Sequence, residues 1–552
     1  MFNRFLSLSF LFCISVTTTF SQKLNKADRT TVGQLRQHIS YLADDKLEGR
    51  RAGTNGEKLA AEYIIAQFKK NGLQPKGDNN TWLQSFDIYD GRQVNATSHL
   101  FINGNDLRLN DEYFPFPFSA NSSTEAAVSL ALAEPGVPWF KDLNDLLEEN
   151  KENPHFDLTT AIINKAKQAE AKGATAVIFY NTSGEDDKLK FESKDRNELL
   201  KIPVLYITAD ARKKYLADEE GNYDIKLKTD VGARKRTGNN VVGYINNNAA
   251  TTVIFGAHYD HLGYGEDGNS MNRSGPQQIH NGADDNASGT AALIELARLL
   301  KTSKLKTNNY LFVAFSAEEL GLNGSKYFTE NPVTDLSKVN YMINLDMVGR
   351  LNDSTKTVTV GGYGTSPLWS QVFSSIQNQK YLKFKFDSSG TGPSDHTSFY
   401  RKNIPVLFYF TNLHSDYHRP TDDYNKINYN GELMIIKNIL EVVAAANNKP
   451  KLAFLTTREQ QTSTSARFTV SLGIMPDYTY SGTGVRVDGV SEGRVAQKAG
   501  MKAGDIIVQL GEHNTTSVET YMQALSKFKK GDATTVKYKR GNDVVEVQVQ
   551  FQ

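Results

Sequence analysis

The chain reads as an α/β protein: a mixed, largely parallel sheet with helices on both faces, joined to an inserted α+β or β-rich domain and to a C-terminal β domain. Three observations predict this. From Asn239 to about Asn448, strand-length apolar runs alternate with helix-length segments, as in sheets with parallel members. From about Glu112 to Thr237 the texture shifts to acidic and Lys-rich stretches around one βαβ-like unit. Beyond the polar stretch Thr456 to Ser465, short β runs are separated by turns such as Lys530-Gly531-Asp532 and Arg540-Gly541-Asn542.

Bulk properties fit that division. At about 150 residues per domain, 552 residues make three or four units. Apolar residues are 39% of the chain and charged ones 23%, and 63 basic against 62 acidic residues leave a net charge of +1. That balance excludes extended disorder and a polyanion-binding surface, so nucleic acid is not an expected partner. With 41 Gly and 15 Pro, collagenous, coiled-coil and polytopic membrane architectures are excluded too.

Taken in order, the chain starts with Arg4 and the apolar run Phe5 to Val16, followed by small or polar residues at Thr17 to Ser21. This is the make-up of a signal peptide cleaved near Ser21. It is too short to span a membrane, which takes about 20 apolar residues. The expectation is an exported protein, periplasmic or extracellular, with no membrane span once the leader is removed. The single cysteine, Cys13, lies in that leader. The mature chain would therefore hold neither disulfides nor thiolate metal ligands.

Leu35, Ile39 and Leu42 then recur at helical spacing, Leu47 to Gly56 form a Gly-rich interruption, and Leu59, Tyr63, Ile64 and Phe68 mark a second helix. Lys69-Lys70 and Asn71-Gly72 supply its cationic last turn and its stop. In the inserted segment a helix, Ala161 to Lys172, leads into a strand, Ala174 to Tyr180, and a short strand follows at Ile202 to Ile207. Four runs read as buried central strands: Thr252 to Phe255, Tyr310 to Phe315, Tyr341 to Leu345 and Ile404 to Phe410. One helix, Val518 to Phe528, belongs to the C-terminal module.

Immediately after those four strands come His258 and Asp260, then Glu318 and Glu319, then Asp346, and finally Tyr417 and His418. Asp284-Asp285 lies in the loop that opens the helix Ala291 to Leu300. Open α/β sheets form their sites outside the carboxyl ends of the strands, so these scattered residues should converge in one crevice. Imidazole and carboxylate are the ligands that suit zinc when thiolate is absent. Four or five carboxylates with no lysine or arginine nearby would repel one another strongly at reduced dielectric. Two cations about 3.5–4 Å apart, bridged by a carboxylate, relieve that repulsion and suit the hydrolysis of a carbonyl compound. Asp284 reads as a helix cap or local ion pair, and His261 and His280 as flanking bystanders. Ser394-Asp395-His396 has the composition of a catalytic triad, but adjacent residues cannot adopt its geometry.

The segments Gly256-Ala257-His258-Tyr259-Asp260, Gly282-Ala283-Asp284-Asp285-Asn286-Ala287-Ser288-Gly289, Ala317-Glu318-Glu319-Leu320-Gly321, Asn344-Leu345-Asp346-Met347 and Tyr417-His418 resemble the zinc exopeptidases of peptidase family M28. The resemblance covers about 30–112 and 238–448. It implies two zinc ions per chain: one held by His258, Asp285 and Asp346, the other by Asp285, Glu319 and His418, with Asp285 bridging. It also implies Glu318 as the general base toward a zinc-acidified water. Asp260 is expected to accept the other ring N–H of His258, and Tyr417 to hydrogen-bond the oxyanion of the tetrahedral intermediate.

Two accessory resemblances complete the reading. Lys165 to Ala174, before the inserted strand, resembles the protease-associated domain. Ser471-Leu472-Gly473-Ile474-Met475 and Ala499 to Ile507 resemble a PDZ domain, whose implied ligand is a peptide C-terminus. The expected division is a leader at 1–21, the peptidase domain at 22–112 and 238–450, the insert at 113–237, a linker at 451–465 and the PDZ-like module at 466–552. The implied function is that of an exported dizinc exopeptidase acting on peptides, with aminopeptidase the family's commonest activity. Carboxypeptidase, a single-zinc glutaminyl-cyclase-like enzyme and a non-catalytic peptide-binding adaptor stay open as alternatives.

Overall fold

The computed structural model describes residues 24–551 apart from 152–155, 196, 273–275, 377–380, 458–469, 477–479, 481, 491–492, 526 and 542. The expected leader and the second half of the expected linker lie outside the described residues.

All four apolar runs are strands, at Thr251–His258, Asn308–Phe315, Val339–Leu345 and Val406–Phe410. They lie side by side in a nine-stranded sheet, in the order 308–315, 251–258, 339–345, 406–410, and every pairing among them is parallel. Antiparallel members flank this centre: Val231–Ile245 on one side, Thr357–Gly361 on the other. Alternate side chains of the central strands feed two separate cores. Val253, Phe255, Tyr310 and Phe312 pack with Leu35, Ile64, Leu296 and Ile439 from four helices. Ile254, Leu311 and Val313 pack with Phe328 and Phe399 from helices on the opposite face. Both faces are apolar because both are covered, which is why these strands read as unbroken hydrophobic runs rather than alternating ones.

The helices Lys26–Leu42, Asn55–Lys70 and Gly289–Lys301 lie where the periodicity puts them. The long strand Val231–Ile245 has no such clear signature. Its first half alternates buried and exposed residues and pairs only with Leu83–Val94, whereas its second half enters the central sheet. The border expected at 237/238 falls inside this one continuous strand.

The inserted segment builds two four-stranded sheets. One runs Tyr113–Pro115, Val204–Ile207, Ala176–Tyr180, Pro138–Asp142, and the helix Leu158–Ala171 lies in the crossover between its last two, parallel strands. The other pairs Asn105–Asp106, His99–Ile102, Asn222–Lys228 and Ser123–Ser129. Strands 99–102 and 105–106 thus belong with the insert although they precede residue 113. The C-terminal module is an antiparallel sheet of Ile474–Pro476, Val485–Val490, Ile506–Leu510, Ala533–Arg540 and Asp543–Gln550, with His513–Asn514 attached and the helix Val518–Leu525. It encloses its own core, including Leu472, Val485, Ile507, Leu510, Tyr521 and Val536.

Glu57 joins the first helical layer to the site end of the sheet. It is 2% exposed, accepts the Gly53 N–H at 2.6 Å, and accepts the hydroxyl of Ser316, the residue that follows strand Asn308–Phe315. Burial pushes its carboxyl up from 4.5 to about 7 despite those hydrogen bonds. The folded-state value therefore lies above the unfolded one, so the contribution of Glu57 to stability is whole below about pH 4.5 and is lost as the pH climbs through about 7. Glu57→Gln should flatten that part of the stability profile. Denaturant midpoints from pH 4 to 8, compared with the parent, would check it, and parallel curves would reject it.

Candidate metal centre

The carboxyl ends of the central strands meet at one crevice, and the loops that leave them are tied to one another through side chain to backbone bonds. The Asp260 carboxylate, after the first strand, accepts the backbone N–H groups of Glu318 at 3.1 Å and Glu319 at 3.4 Å. Asn286 donates to the Leu345 carbonyl at 3.0 Å and accepts the Met347 N–H at 3.2 Å, which fixes the turn Ala283–Ser288 against the strand leading to Asp346. Asp422 accepts the amides of Asp284 and Asp285 at 2.9 and 3.1 Å.

These ties bring all five expected ligands together. His258 Nε2 lies 3.4 Å from Asp285 Oδ1 and 3.4 Å from Asp346 Oδ1. His418 Nε2 lies 3.2 Å from Asp285 Oδ2 and 3.2 Å from Glu319 Oε2. The two oxygens of Asp285 thus face different imidazoles. Glu318 is adjacent, with Oε2 3.9 Å from His258 Nε2. Each ring is backed on its other nitrogen by a main-chain carbonyl: His258 Nδ1 donates to Asp260 O at 3.2 Å and His418 Nδ1 to Asn269 O at 2.9 Å. Backing of that kind turns Nε2 inward as the free donor atom. Asp260 therefore contacts His258 chiefly through its backbone. Its carboxylate is 3.6 Å from Nδ1 and is occupied by the Glu318 and Glu319 amides.

A model of peptidase family M28 matches residues 240–443, and a PDZ domain model matches residues 461–551. Residues 240–443 are a peptidase family M28 domain. The chain is 28% identical over 376 residues to the aminopeptidase YwaD of Bacillus subtilis (strain 168), covering 66% of this chain and 72% of that one. It is 32% identical over 192 residues to an aminopeptidase of Pseudomonas aeruginosa (strain UCBPP-PA14), covering 34% of this chain and 32% of the relative. Among solved structures, a zinc aminopeptidase from Bacillus subtilis aligns over 75% of this chain and 94% of its own at 23% identity, with a TM-score of 0.41.

Charge decides what the M28 centre can hold. Asp285, Glu318, Glu319 and Asp346 are all nearly buried beside two imidazoles. Burial alone would push the His418 ring down, but Glu319 and Asp285 outweigh it and raise the ring to about 11. His258 is likewise raised by Glu318 and Asp346 against its burial. Without a cation, this cluster offsets its crowded negative charge by holding protons, on its imidazoles and on the Glu318 carboxyl, which burial raises well above the usual range. A divalent cation does the same work while displacing those protons. The donor set is imidazole nitrogen and carboxylate oxygen, which fits zinc. Among the described residues, two groups have donor atoms close enough to share an ion: His258, Asp285, Asp346 and His261, Asp285, Glu319.

Three neighbours escaped the sequence reading. Arg50 corrects the expectation that no arginine stands near the carboxylates. It is 1% exposed, and it donates to the carbonyls of Tyr259 at 2.8 Å, Asn281 at 2.7 Å, Gly282 at 3.0 Å and Leu42. Burial lowers its guanidinium to about 10, while Asp260, Asp285, Asp422 and Glu319 oppose that fall. It stays a cation, yet it spends its donors on the main chain and pairs with no ligand. His261, expected to be a bystander, donates from Nδ1 to Glu319 Oε1 at 2.8 Å. Asp422 anchors the Asp285 loop. No motif marks these three, because their roles arise from loop packing. His280 does stand apart, bonded to Ser270 and the Gln278 carbonyl. Asp284 turns away to Gly349, Ser288 and His414.

The loop after His261 is anchored at its far side by ion pairs. Asp267 takes Arg51 in a two-point contact at 2.7 and 2.9 Å, with Arg236 at 3.3 Å and Lys194, from the insert, at 3.4 Å. Asp90 takes Lys194 at 2.8 Å, Arg234 at 3.0 Å and Arg236 at 3.3 Å. From Asp267 the loop runs to Asn269, which holds both His418 and the Glu319 carbonyl.

The crevice is a cavity of about 470 Å³ lined by Met347, Phe408, Phe410 and Leu413 as well as by the expected ligands. Tyr417 lines it, with its ring stacked 3.9 Å from that of His418. Of the triad-like run, His396 reaches the cavity but lies flat on Phe408, 4.4 Å between ring centres.

Arg50→Lys should destabilise the M28 domain, since three ammonium protons cannot reach four carbonyls. The expected loss is about 1–3 kcal/mol per abandoned acceptor, read as a lower denaturant midpoint. An unchanged midpoint would mean that Arg50 does not brace these loops.

Proposed function

We propose that the chain is an exported aminopeptidase with two zinc ions per chain, and that it removes N-terminal residues from peptides. The observation that carries this reading is the division of Asp285, one oxygen toward His258 and the other toward His418. His258, Asp285 and Asp346 would hold one ion, and Asp285, Glu319 and His418 the other. Zinc supplies the Lewis acidity that acidifies a water and polarises a carbonyl. Attack on the amino end is supported by the names of the relatives, both aminopeptidases.

Glu318 is the general base. Burial raises its carboxyl well above the usual range, with Asp346 and Glu319 adding to it and His258 opposing. That basicity suits removal of a proton from the attacking water and its delivery to the leaving amine. Asp260 is assigned to orient Glu318 through its amide. Tyr417, whose hydroxyl is kept protonated by burial and the surrounding carboxylates, donates to the oxyanion. The wall of Phe408, Phe410 and Leu413 suits an apolar side chain next to the scissile bond.

The leader at 1–21 supports export to a periplasm or to the medium. Among the described residues no helix is long and apolar enough to cross a membrane. The division into peptidase, insert and PDZ-type module follows the sheets, with the insert taken from about residue 98 and ending within the strand 231–245. Lys194 of the insert reaches the far side of the loop that carries Asn269, and a peptide C-terminus is the ligand proposed for the PDZ domain.

Glu318→Gln should keep its zinc while kcat falls by about 10²–10⁴, measured on a free-amine peptide with metal content determined in parallel. A fully active variant would remove Glu318 from the mechanism. Chelation should abolish release of N-terminal residues and zinc should restore it, and an N-acetylated peptide should resist. Cleavage of the blocked peptide at the same rate would refute the aminopeptidase assignment.

A further inference from the structure

We propose that His261 is a positioning residue for Glu319, one of the three metal-binding carboxylates, and so sets the affinity of one zinc ion and not of the other. The inference rests on the dizinc reading above and adds a residue to it.

Four observations on this chain support it. The His261 Nδ1–H donates to Glu319 Oε1 at 2.8 Å, while the other oxygen of the same carboxylate, Oε2, faces His418 at 3.2 Å. One oxygen is thereby withdrawn from the centre and the other is presented to it. The His261 side chain is fully buried, and among the described residues its Nε2 has no hydrogen-bond partner. A buried ring with an unused nitrogen is held for the bond its other nitrogen makes. The backbone of His261 is pinned, its N–H donating to the Arg50 carbonyl at 3.2 Å. Finally, Gly282 leaves room for the ring. Its φ is +54°, and a Cβ there would lie 2.5–2.6 Å from His261 Cδ2 and Cγ.

The same ring is 3.9 Å from Asp285 Oδ2, and its Nδ1 belongs to a group of atoms that would admit an ion. Direct ligation would require the Nδ1–H bond to Glu319 to be given up. His418, whose Nε2 is already inward with its Nδ1 backed by a carbonyl, needs no such exchange. The geometry therefore favours His418 as the ligand and His261 behind Glu319. Partners of this kind typically change metal affinity by about 10–100-fold when removed.

The test is a zinc titration of the full chain against a competing chelator, on the parent, His261→Ala and His261→Asn. The asparagine amide places an N–H close to where Nδ1 stands. Parent protein should bind two ions. His261→Ala should bind one with parental affinity and the other about 10–100-fold more weakly, and His261→Asn should recover most of that loss. Unchanged affinity of both ions in His261→Ala overturns the inference, as does equal weakening of both ions or failure of the asparagine to recover any of it. A parent that binds fewer than two ions overturns the dizinc reading itself, before any variant is compared.

Discussion

The constraint on which the rest of the structure depends is the gathering of four carboxylates into one poorly solvated crevice. Charges of one sign at such spacing are tolerated only with compensation. Here the compensation is layered. His258 and His418 touch the carboxylates directly. Arg50 stands behind them, close enough to be felt by Asp285 and Glu319, yet bound only to main-chain oxygens. The guanidinium therefore offsets part of the negative potential without competing for the oxygens a cation needs. A lysine able to swing into the centre would neutralise it and close it to metal.

Preorganisation follows from the same economy of contacts. Asp260 and Asp422, which are not proposed as ligands, accept the backbone amides of the proposed ligands Glu319 and Asp285 and of their neighbours Glu318 and Asp284. The acids in the crevice thus fall into two kinds, those that grip loops and those that face the cavity. The parallel sheet makes this division possible, because successive strand ends arrive side by side and each loop lies within reach of the next.

Much of this was legible in the sequence. The four central strands announced themselves as continuous apolar runs because both faces of the sheet are covered. His258, Asp285, Glu319, Asp346 and His418 were visible because each follows such a strand or opens the helix after it. The missing parts share a physical cause. Val231–Ile245 changes character midway, exposed alternation giving way to burial, so a border was placed in its middle. Arg50, His261 and Asp422 gain their roles chiefly from neighbours 58 to 232 positions away, a distance that no local periodicity encodes. Asp260 was expected to meet His258 through its carboxylate, whereas its carbonyl lies nearer the ring, at 3.2 against 3.6 Å, and residue type cannot tell a backbone contact from a carboxylate one.

Lys194 gives the insert a place in the architecture that its peripheral sheets do not suggest. It reaches Asp90 and Asp267, acids also matched by Arg51, Arg234 and Arg236. Without that lysine the two aspartates would still face three guanidiniums, so what the insert adds beside the loop that carries Asn269 is a tether rather than a missing charge.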